Sequence, residues 1–418
     1  MARPLNAVAA ASGPLLYAAL QALTLLIIAR LGGVEDAADF FLAQAIATPL
    51  GQFVSLRLKE QLATEAHQTK FVDRINRVCK VAVAVGVLGS LGWVIFAERG
   101  RALVGIGILL ANLAQAVVAA FQGRRARRKE FFWASQSDTM LGILSLASVS
   151  IGYVGAGLEL GALLMAASWW IVAIVLTLAE ARQDRDRTDL ISGHSIPLRH
   201  DLLLGLARAA EVGQISITRI GTSAFAGADA LARIGTGSFF VRMGAPIVGG
   251  LRSAMGADLG EAAREKEIGP LLLRVRKQLL GLALVGSGLG AILGWFVIPP
   301  VIAVIYGEPV TPAPGTGAFL MGGAAFLYTS MLMGQATIAK GERGAVLRAN
   351  LGAVATSALL VAPLSLWFGE TGAAAALAAG YVARFVALFA IMGRRSPSSD
   401  TLGRPKSPGG TDGHGVTL

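Results

Sequence analysis

The sequence predicts an all-α polytopic membrane protein. Twelve transmembrane helices are expected to form two six-helix lobes, with both chain ends on the inside of the membrane. Three observations predict this class: the composition, the long apolar segments and the placement of basic residues. Of the 418 residues, 54% are hydrophobic and 15% are charged, whereas a soluble domain carries roughly 25% charged residues. The mean hydropathy is +0.62. So much apolar surface excludes a soluble enzyme of this length and a disordered chain.

The apolar segments are long enough to cross a bilayer, which takes about 20 residues per helix. The first segment follows Arg3 and runs into Arg30 without a small-residue cleavage site, so we interpret it as a retained helix and not as a signal peptide. The longest predicted external loops, 31–38 and 307–314, are short. The predicted spans are 8–30, 39–57, 79–97, 102–122, 132–153, 159–180, 201–222, 228–251, 278–305, 315–338, 348–368 and 372–392.

The basic residues predict the orientation. The net charge is +11, from 37 Lys and Arg against 26 Asp and Glu. With the N-terminus inside, 29 of the basic residues fall in internal segments, five lie within spans, and only Arg30, Arg99 and Arg101 lie outside. Internal loops of membrane proteins carry such an excess of Lys and Arg.

The same spans divide the chain into domains. We predict an N-lobe at 1–180, a cytoplasmic linker at 181–200, a C-lobe at 201–393 and a disordered Pro/Gly/Ser-rich tail at 394–418. Span two contains Pro49 and span eight contains Pro246, each towards the inner end. Proline kinks a helix and can act as a hinge. The matching positions favour a parallel repeat of two lobes, although twelve helices would also divide by two without one.

The sequence contains no recognisable catalytic or metal-binding motif. Cys79 is the single cysteine, so no internal disulfide forms, and the four histidines show no metal-ligand spacing. No nucleophile–base pair stands out, and the external loops are too short for a membrane polymerase or ligase. We therefore expect a protein that is not an enzyme and that has no cofactor and no metal.

Charged residues inside the predicted spans are the candidate binding residues, because such groups are costly in lipid and face a cavity or a partner. Guanidinium groups bind phosphate bidentately, so arginines at several depths suit an anionic headgroup that crosses the membrane. As alternatives, two of them, Arg219 and Arg233, snorkel to the outer interface, and Arg384 bonds helix carbonyls. The candidates for diphosphate binding are Arg208, Arg242, Arg219, Arg233 and Arg384.

Glu211 follows Arg208 by three residues and shares its helix face. It is either a coupling site whose protonation frees Arg208, or a permanent charge pair. Asp138 is a weaker acidic candidate. Uncharged polar residues in the spans either line a cavity or bond between helices. They are Gln21, Gln44, Gln52, Asn112, Gln115, Gln214 and Gln335.

Three segments carry a family resemblance: Ala29–Asp36 followed by the Pro49 helix, Val301–Glu308, and Gly369–Ala374. With the twelve-span plan over 1–393, the chain resembles the polysaccharide and O-antigen flippases of the multidrug/oligosaccharidyl-lipid/polysaccharide exporter superfamily. The resemblance implies alternating-access movement of an undecaprenyl-diphosphate-linked oligosaccharide from the inner to the outer leaflet of the bacterial inner membrane, for surface polysaccharide biosynthesis. We expect a monomer in contact with membrane lipid, with polysaccharide polymerase or export machinery as partners and no nucleic acid.

Two other transporter classes compete with this interpretation. A proton- or sodium-coupled multidrug exporter of the same superfamily would favour cations and would need acids in its cavity, whereas the charged residues of these spans are mostly arginines. A major-facilitator transporter also has twelve spans. The segment after span two, Phe71–Arg77, lacks the glycines of that family's motif.

Overall fold

The computed structural model describes residues 2–56, 58–59, 71–97, 99–128, 130–185, 198–245, 248–249, 268–339 and 342–393. Pro246, the predicted tail at 394–418 and most of the predicted linker lie outside these residues. Within them, every regular element is a helix, as the sequence predicts.

The helices are named in chain order. The first half contains α1 (Ala2–Ile27), α2 (Gly33–Val54), α3 (Phe71–Phe96), α4 (Arg99–Arg127), α5 (Phe131–Gly155) and α6 (Leu158–Arg185). In the second half, Gly227 divides Leu198–Met243 into α7 (198–226) and α8 (228–243). The helices α9 (Ile268–Phe296), α10 (Ile298–Tyr306) and α11 (Pro314–Ala339) follow. Gly369 divides Arg343–Met392 into α12 (343–368) and α13 (370–392).

Eight helical stretches among the described residues are long and apolar enough to cross a membrane. Two of them, Ser12–Val54 and Gly344–Met392, have 43 and 49 residues. At 1.5 Å per residue these are about 65 and 74 Å long, or twice the roughly 30 Å hydrocarbon core. Each contains a break, one at Gly33 and the other at Gly369. The stretch Leu198–Met243 is not among the eight, but Gly227 breaks it in the same way.

The five glycines with positive φ among the described residues all lie in turns between helices. All five lie between predicted spans, in turns that the predicted topology assigns to the outer side. Only glycine adopts this backbone region without steric cost, which explains the residue type. They are Gly33, Gly157, Gly227, Gly307 and Gly369, with φ of 73°, 88°, 87°, 105° and 56°.

Helix packing follows the two halves of the chain, with α2 between them. In the first half, α1 packs on α5 and α4 packs on α6; in the second, α7 packs on α12 and α13, and α9 packs on α11. Helix α2 packs on α4 and also on the α7–α8 hairpin. Small residues allow the close approaches: Gly294 and Gly317 bring the α9 and α11 backbones into contact. Large apolar side chains such as Leu88 and Leu359 are exposed on the outer faces, as a lipid-facing surface requires.

Two predicted boundaries are wrong. The predicted span 278–305 is broken, because α9 ends at Phe296 and α10 starts at Ile298, with Pro299 in its first turn. Proline fits the first turn of a helix but not its interior. The predicted loop 31–38 is also absent: a π-helical turn, Ile28–Gly32, leads directly into α2.

Candidate functional site

The first charged cluster joins α7 to α13. The Nη1 atom of Arg208 donates to Oε2 of Glu211 at 2.8 Å, and Nη2 of Arg384 donates to Oε1 of the same carboxylate at 3.4 Å. The Nε of Arg208 also donates to Oε1 of Gln52 on α2, at 3.0 Å. Glu211 is therefore shared by two guanidinium groups, and Arg208 connects this cluster to the first half of the chain.

Arg219 is buried inside the protein, with 3% of its surface exposed. Its Nη2 donates to the Ser238 hydroxyl at 2.8 Å and to the Gly235 carbonyl at 3.4 Å. Its guanidinium also lies over the Phe41 ring, with Cζ 4.8 Å from the centroid, in a cation–π geometry. Arg219 thus connects α7 to α8 and α2. Among the described residues, no carboxylate forms an ion pair with it.

Arg242 differs from Arg219 because its side chain is exposed. It nevertheless lies inside the bundle, within electrostatic range of the Tyr17 hydroxyl on α1 and the Tyr381 hydroxyl on α13. The exposure is therefore to space between helices of the two halves, not to lipid. The Tyr17 hydroxyl is also within reach of Gln115 on α4 and in electrostatic range of Asp138 on α5.

The cavity that Arg242 lines has walls of different character. Tyr17, Gln115 and Asp138 belong to the first half of the chain and carry one negative charge. The Oδ1 of Asp138 accepts a hydrogen bond from Gln122 at 2.6 Å. The second half supplies Arg242 and, within electrostatic range of it, Arg219. An anion is therefore drawn to the wall formed by the second half.

Arg233 lies at the predicted outer end, where its guanidinium is 3.8 Å from a Glu370 carboxylate oxygen and donates to the Pro309 carbonyl at 3.2 Å. Arg233 meets these partners because it lies close to the turn at Gly227: at 1.5 Å per residue, it is about 9 Å from Gly227 along the helix. Arg242 is about 22 Å from the same turn. In this conformation the five predicted arginines do not form one continuous ladder.

The predicted polar residues fall into three groups. Gln52 accepts a hydrogen bond from Arg208, and Gln115 is within reach of the Tyr17 hydroxyl. Asn112 donates to the Ile108 carbonyl of its own helix at 2.9 Å, and Gln214 is fully buried between α7 and α13. The others, which are half-buried, are Gln21, Gln44 and Gln335. Of the predicted hinges, Pro49 lies inside α2.

Several charged and aromatic residues at the site were missed at the sequence level. Tyr17 and Tyr381 flank Arg242, and each had a local signal: Tyr17 lies one helical turn before Gln21, and Tyr381 lies one turn before Arg384. Asp201, which is 1% exposed, binds Arg74 and Arg77 of α3 at 3.1 and 3.2 Å. No spacing in the sequence links α3 to α7.

Another buried carboxylate, Glu180 on α6, binds three arginines at and just beyond the C-terminal end of α4, at distances between 2.5 and 3.3 Å: Arg124, Arg125 and Arg128. This cluster joins helices of one half only. Among the described residues, no group of three or more His, Cys, Asp or Glu could hold a metal ion.

Comparison with solved structures identifies the fold. A MOP superfamily transporter from Pyrococcus furiosus superposes with a TM-score of 0.62 at 13% identity, over 93% of this chain and 94% of that one. An outward-facing multidrug resistance MATE family transporter of the MOP superfamily gives 0.60 at 15% identity, over 93% and 96%. The lipid II flippase MurJ, in an inward closed conformation, gives 0.60 at 11% identity, over 91% and 86%. The chain has the fold of MOP superfamily transporters. No protein-family model matches the sequence, and no curated protein sequence matches it.

This fold is the one expected of the predicted superfamily, and it does not distinguish a flippase from a multidrug exporter. Flippase and multidrug exporter give equal TM-scores. Likeness at 11–15% identity concerns the arrangement of the helices alone. The branch must therefore be argued from the side chains of the cavity.

Proposed function

We propose that this protein is a transporter of the bacterial inner membrane that flips an undecaprenyl-diphosphate-linked oligosaccharide from the inner to the outer leaflet, by alternating access, for surface polysaccharide biosynthesis. The observation that carries the proposal is the exposed guanidinium of Arg242 between the two halves, within electrostatic range of the second guanidinium of Arg219 and of the Tyr381 hydroxyl. A lipid-linked diphosphate is an anionic group that such a wall binds, and arginine recognises phosphate oxygens bidentately.

The alternative, a proton- or sodium-coupled multidrug exporter, has the same support from the fold. It is disfavoured by the sign of the charge. Around the cavity, α7, α8 and α13 supply one carboxylate, Glu211, and four arginines: Arg208, Arg219, Arg242 and Arg384. A cationic drug would be repelled by this wall. A pocket of reverse polarity, suggesting a different function, is described for the Pyrococcus furiosus transporter, so this superfamily fold accommodates more than one cavity charge.

The roles of the candidate residues follow from their environment. Arg242 receives the diphosphate, and Arg208 joins it by exchanging its contact with Glu211. The half-buried amides Gln21, Gln44, Gln115 and Gln335 offer hydrogen bonds to sugar hydroxyls. Arg219 and Arg233 hold the α7–α8 hairpin in this conformation and would meet the substrate only if the halves rearrange. Glu211 acts as a permanent counter-ion, because two guanidinium groups share it.

We also propose the topology that transport of this kind requires. Twelve crossings with both ends inside are supported by the inside excess of basic residues and by the five positive-φ glycines in predicted outer turns. Gly33 and Gly227 break the first helix pair of each half, and Gly157 and Gly369 break the last pair, which supports a parallel repeat. A monomer suffices, and polysaccharide polymerase or export machinery would consume the product.

The proposal is tested by deleting the gene and determining which leaflet holds complete lipid-linked oligosaccharides. The deletion strain, free of redundant transporters, is complemented with the wild type, Arg242→Ala or Arg182→Ala. Arg182 is an exposed arginine of α6 and serves as the matched control. We expect inner-leaflet accumulation that wild type and Arg182→Ala relieve. Arg242→Ala should be slower by at least about tenfold, because it loses a charge-assisted phosphate contact.

Other outcomes contradict this in separate ways. Normal surface polysaccharide with no accumulated intermediate, together with lost efflux of cationic drugs, would establish the exporter instead. Full rescue by Arg242→Ala would keep the flippase and remove Arg242 from its substrate path.

A further inference from the structure

Buried polar groups without partners collect between α7 and α13, beside the cavity that Arg242 faces. On α7, Gln214 is 0% exposed, and neither its amide nitrogen nor its oxygen has a hydrogen-bond partner among the described residues. On α13, the same holds for the hydroxyl of Tyr381 and for Nε and Nη1 of Arg384, which are 1% and 2% exposed. The Nε of Arg219 is also unpartnered.

One ion pair, one close backbone approach and one electrostatic proximity bring these groups near one another. Arg384 and Glu211 join the two helices at 3.4 Å, and Gln214 follows Glu211 by one turn on the same face. Gly380, next to Tyr381, lies so close to Gln214 that a Cβ there would be 3.0 Å from the amide nitrogen. The Tyr381 hydroxyl is within electrostatic range of Arg219 and Arg384. We call Gln214, Arg219, Tyr381 and Arg384 the donor cluster.

The donor cluster is rich in donors and in positive charge. Five of its six unpartnered atoms are N–H or O–H groups, and the sixth is the Gln214 oxygen. Arg219 has no carboxylate partner among the described residues, and Arg384 shares Glu211 with Arg208. Buried donors must be satisfied, and a buried charge is costly unless it is paired. Water would satisfy the donors but would leave the charge uncompensated.

We propose that the donor cluster binds a small monovalent anion of the chloride class. Such an ion accepts several N–H and O–H donors at once and neutralises one of the two buried guanidinium groups. The cluster is 0–3% exposed, so a lipid diphosphate cannot enter it and its ligand must be small. This site lies next to the substrate cavity at Arg242 but is closed off from it by burial, and it predicts halide-dependent stability whatever the protein transports.

The test measures thermal unfolding of the purified protein by tryptophan fluorescence, in chloride or bromide against gluconate at equal ionic strength. We expect the Tm to rise with halide concentration along a single-site binding curve, because a ligand that binds only the folded state stabilises it by mass action. Tyr381→Phe should weaken the apparent halide affinity by about tenfold, since it removes one hydrogen bond to a charged ligand.

Tyr328→Phe is the matched control, because the Tyr328 hydroxyl already bonds the Val241 carbonyl and should leave halide affinity unchanged. A bromide-soaked crystal should show an anomalous peak between α7 and α13. This measurement does not depend on whether a variant folds. Equal Tm values in chloride and gluconate, or a bromide peak only beside Arg242, would overturn the proposal. Neither result would bear on the flippase experiment.

Discussion

At the residue scale, the decisive feature is the sharing of Glu211 between Arg208 and Arg384. Three ionised groups lie in a region that the fold places inside the membrane, so their balance matters more than any single contact. Removing one member of a buried pair leaves an uncompensated charge and costs about 3–5 kcal/mol. The carboxylate is therefore the member whose loss the cluster tolerates least.

We predict that Glu211→Gln lowers the free energy of unfolding by about 3 kcal/mol, near the lower end of that range. The lower end applies because the Arg208 side chain is 26% exposed and can be hydrated. The measurement is the shift of the unfolding midpoint in detergent, with Glu35→Gln, an exposed carboxylate of α2, as control.

Combining Glu211→Gln with Arg384→Met should recover part of the loss, because the double variant no longer buries an unpaired guanidinium. If Glu211→Gln unfolds at the wild-type midpoint, or if Arg384→Met adds its own full cost, Glu211 is not the counter-ion of this cluster.

The site was only partly predictable from single residues. The Arg208–Glu211 pair follows from spacing within one helix, and Arg384 was predicted only as a single charged residue within a span. The link from Glu211 to Arg384 spans 173 positions, and the partners of Asp201 lie on a distant helix. Contacts of this kind depend on which helices pack together, and hydrophobic periodicity does not encode the choice of neighbours.

At the element scale, the outer turns are compact because glycine lets two helices meet without a loop. The same contrast between apolar length and local backbone geometry separates the span boundaries that the structure matches from those that it does not. The helices themselves follow from apolar length, whereas the π-helical turn before Gly33 and the break before Pro299 depend on local backbone geometry. A hydrophobic window continues through such a break, because Val297 and Ile298 are as apolar as the helices they join.

Two glycines of the Arg343–Met392 stretch separate backbone strain from packing. A Cβ on either Gly369 or Gly352 would meet nothing within 4 Å. Gly369 has φ of 56°, so Gly369→Ala should cost about 1–2 kcal/mol through strain alone. Gly352 is helical, and Gly352→Ala should stabilise by about 0.4–1 kcal/mol. We therefore expect the unfolding midpoint to fall for Gly369→Ala and to rise for Gly352→Ala. Equal shifts for the two variants would show that the turn at Gly369 accepts alanine by leaving its positive-φ conformation.

At the scale of the whole molecule, the two halves are joined by polar contacts at both ends of the bundle. At the predicted outer end, Arg30 donates to the Val304 and Ile305 carbonyls at 2.7 and 3.1 Å. At the predicted inner end, Asp201 of α7 binds Arg74 and Arg77 of α3. In an alternating-access carrier these two sets of contacts oppose each other, because opening one end requires breaking its set.

Weakening one set should therefore shift the population of states towards opening at that end. The lone cysteine makes this measurable: in a Cys79→Ser background, Arg242→Cys places one thiol in the cavity. We expect Arg30→Gln to raise labelling by an impermeant thiol reagent from outside, and Asp201→Asn to raise labelling from inside. A loss of about 1.4 kcal/mol at either end changes the population ratio about tenfold.

The control is Arg101→Gln, which removes an arginine at the same outer end. Arg101 pairs with Asp39 at 3.0 Å, and both residues belong to the first half, so this pair does not join the halves and its loss should leave labelling unchanged. Arg77→Gln provides a milder inner variant, since Asp201 keeps Arg74. If Arg30→Gln and Asp201→Asn raise labelling equally from both sides, the contacts stabilise the fold as a whole and do not close opposite ends of a shared path.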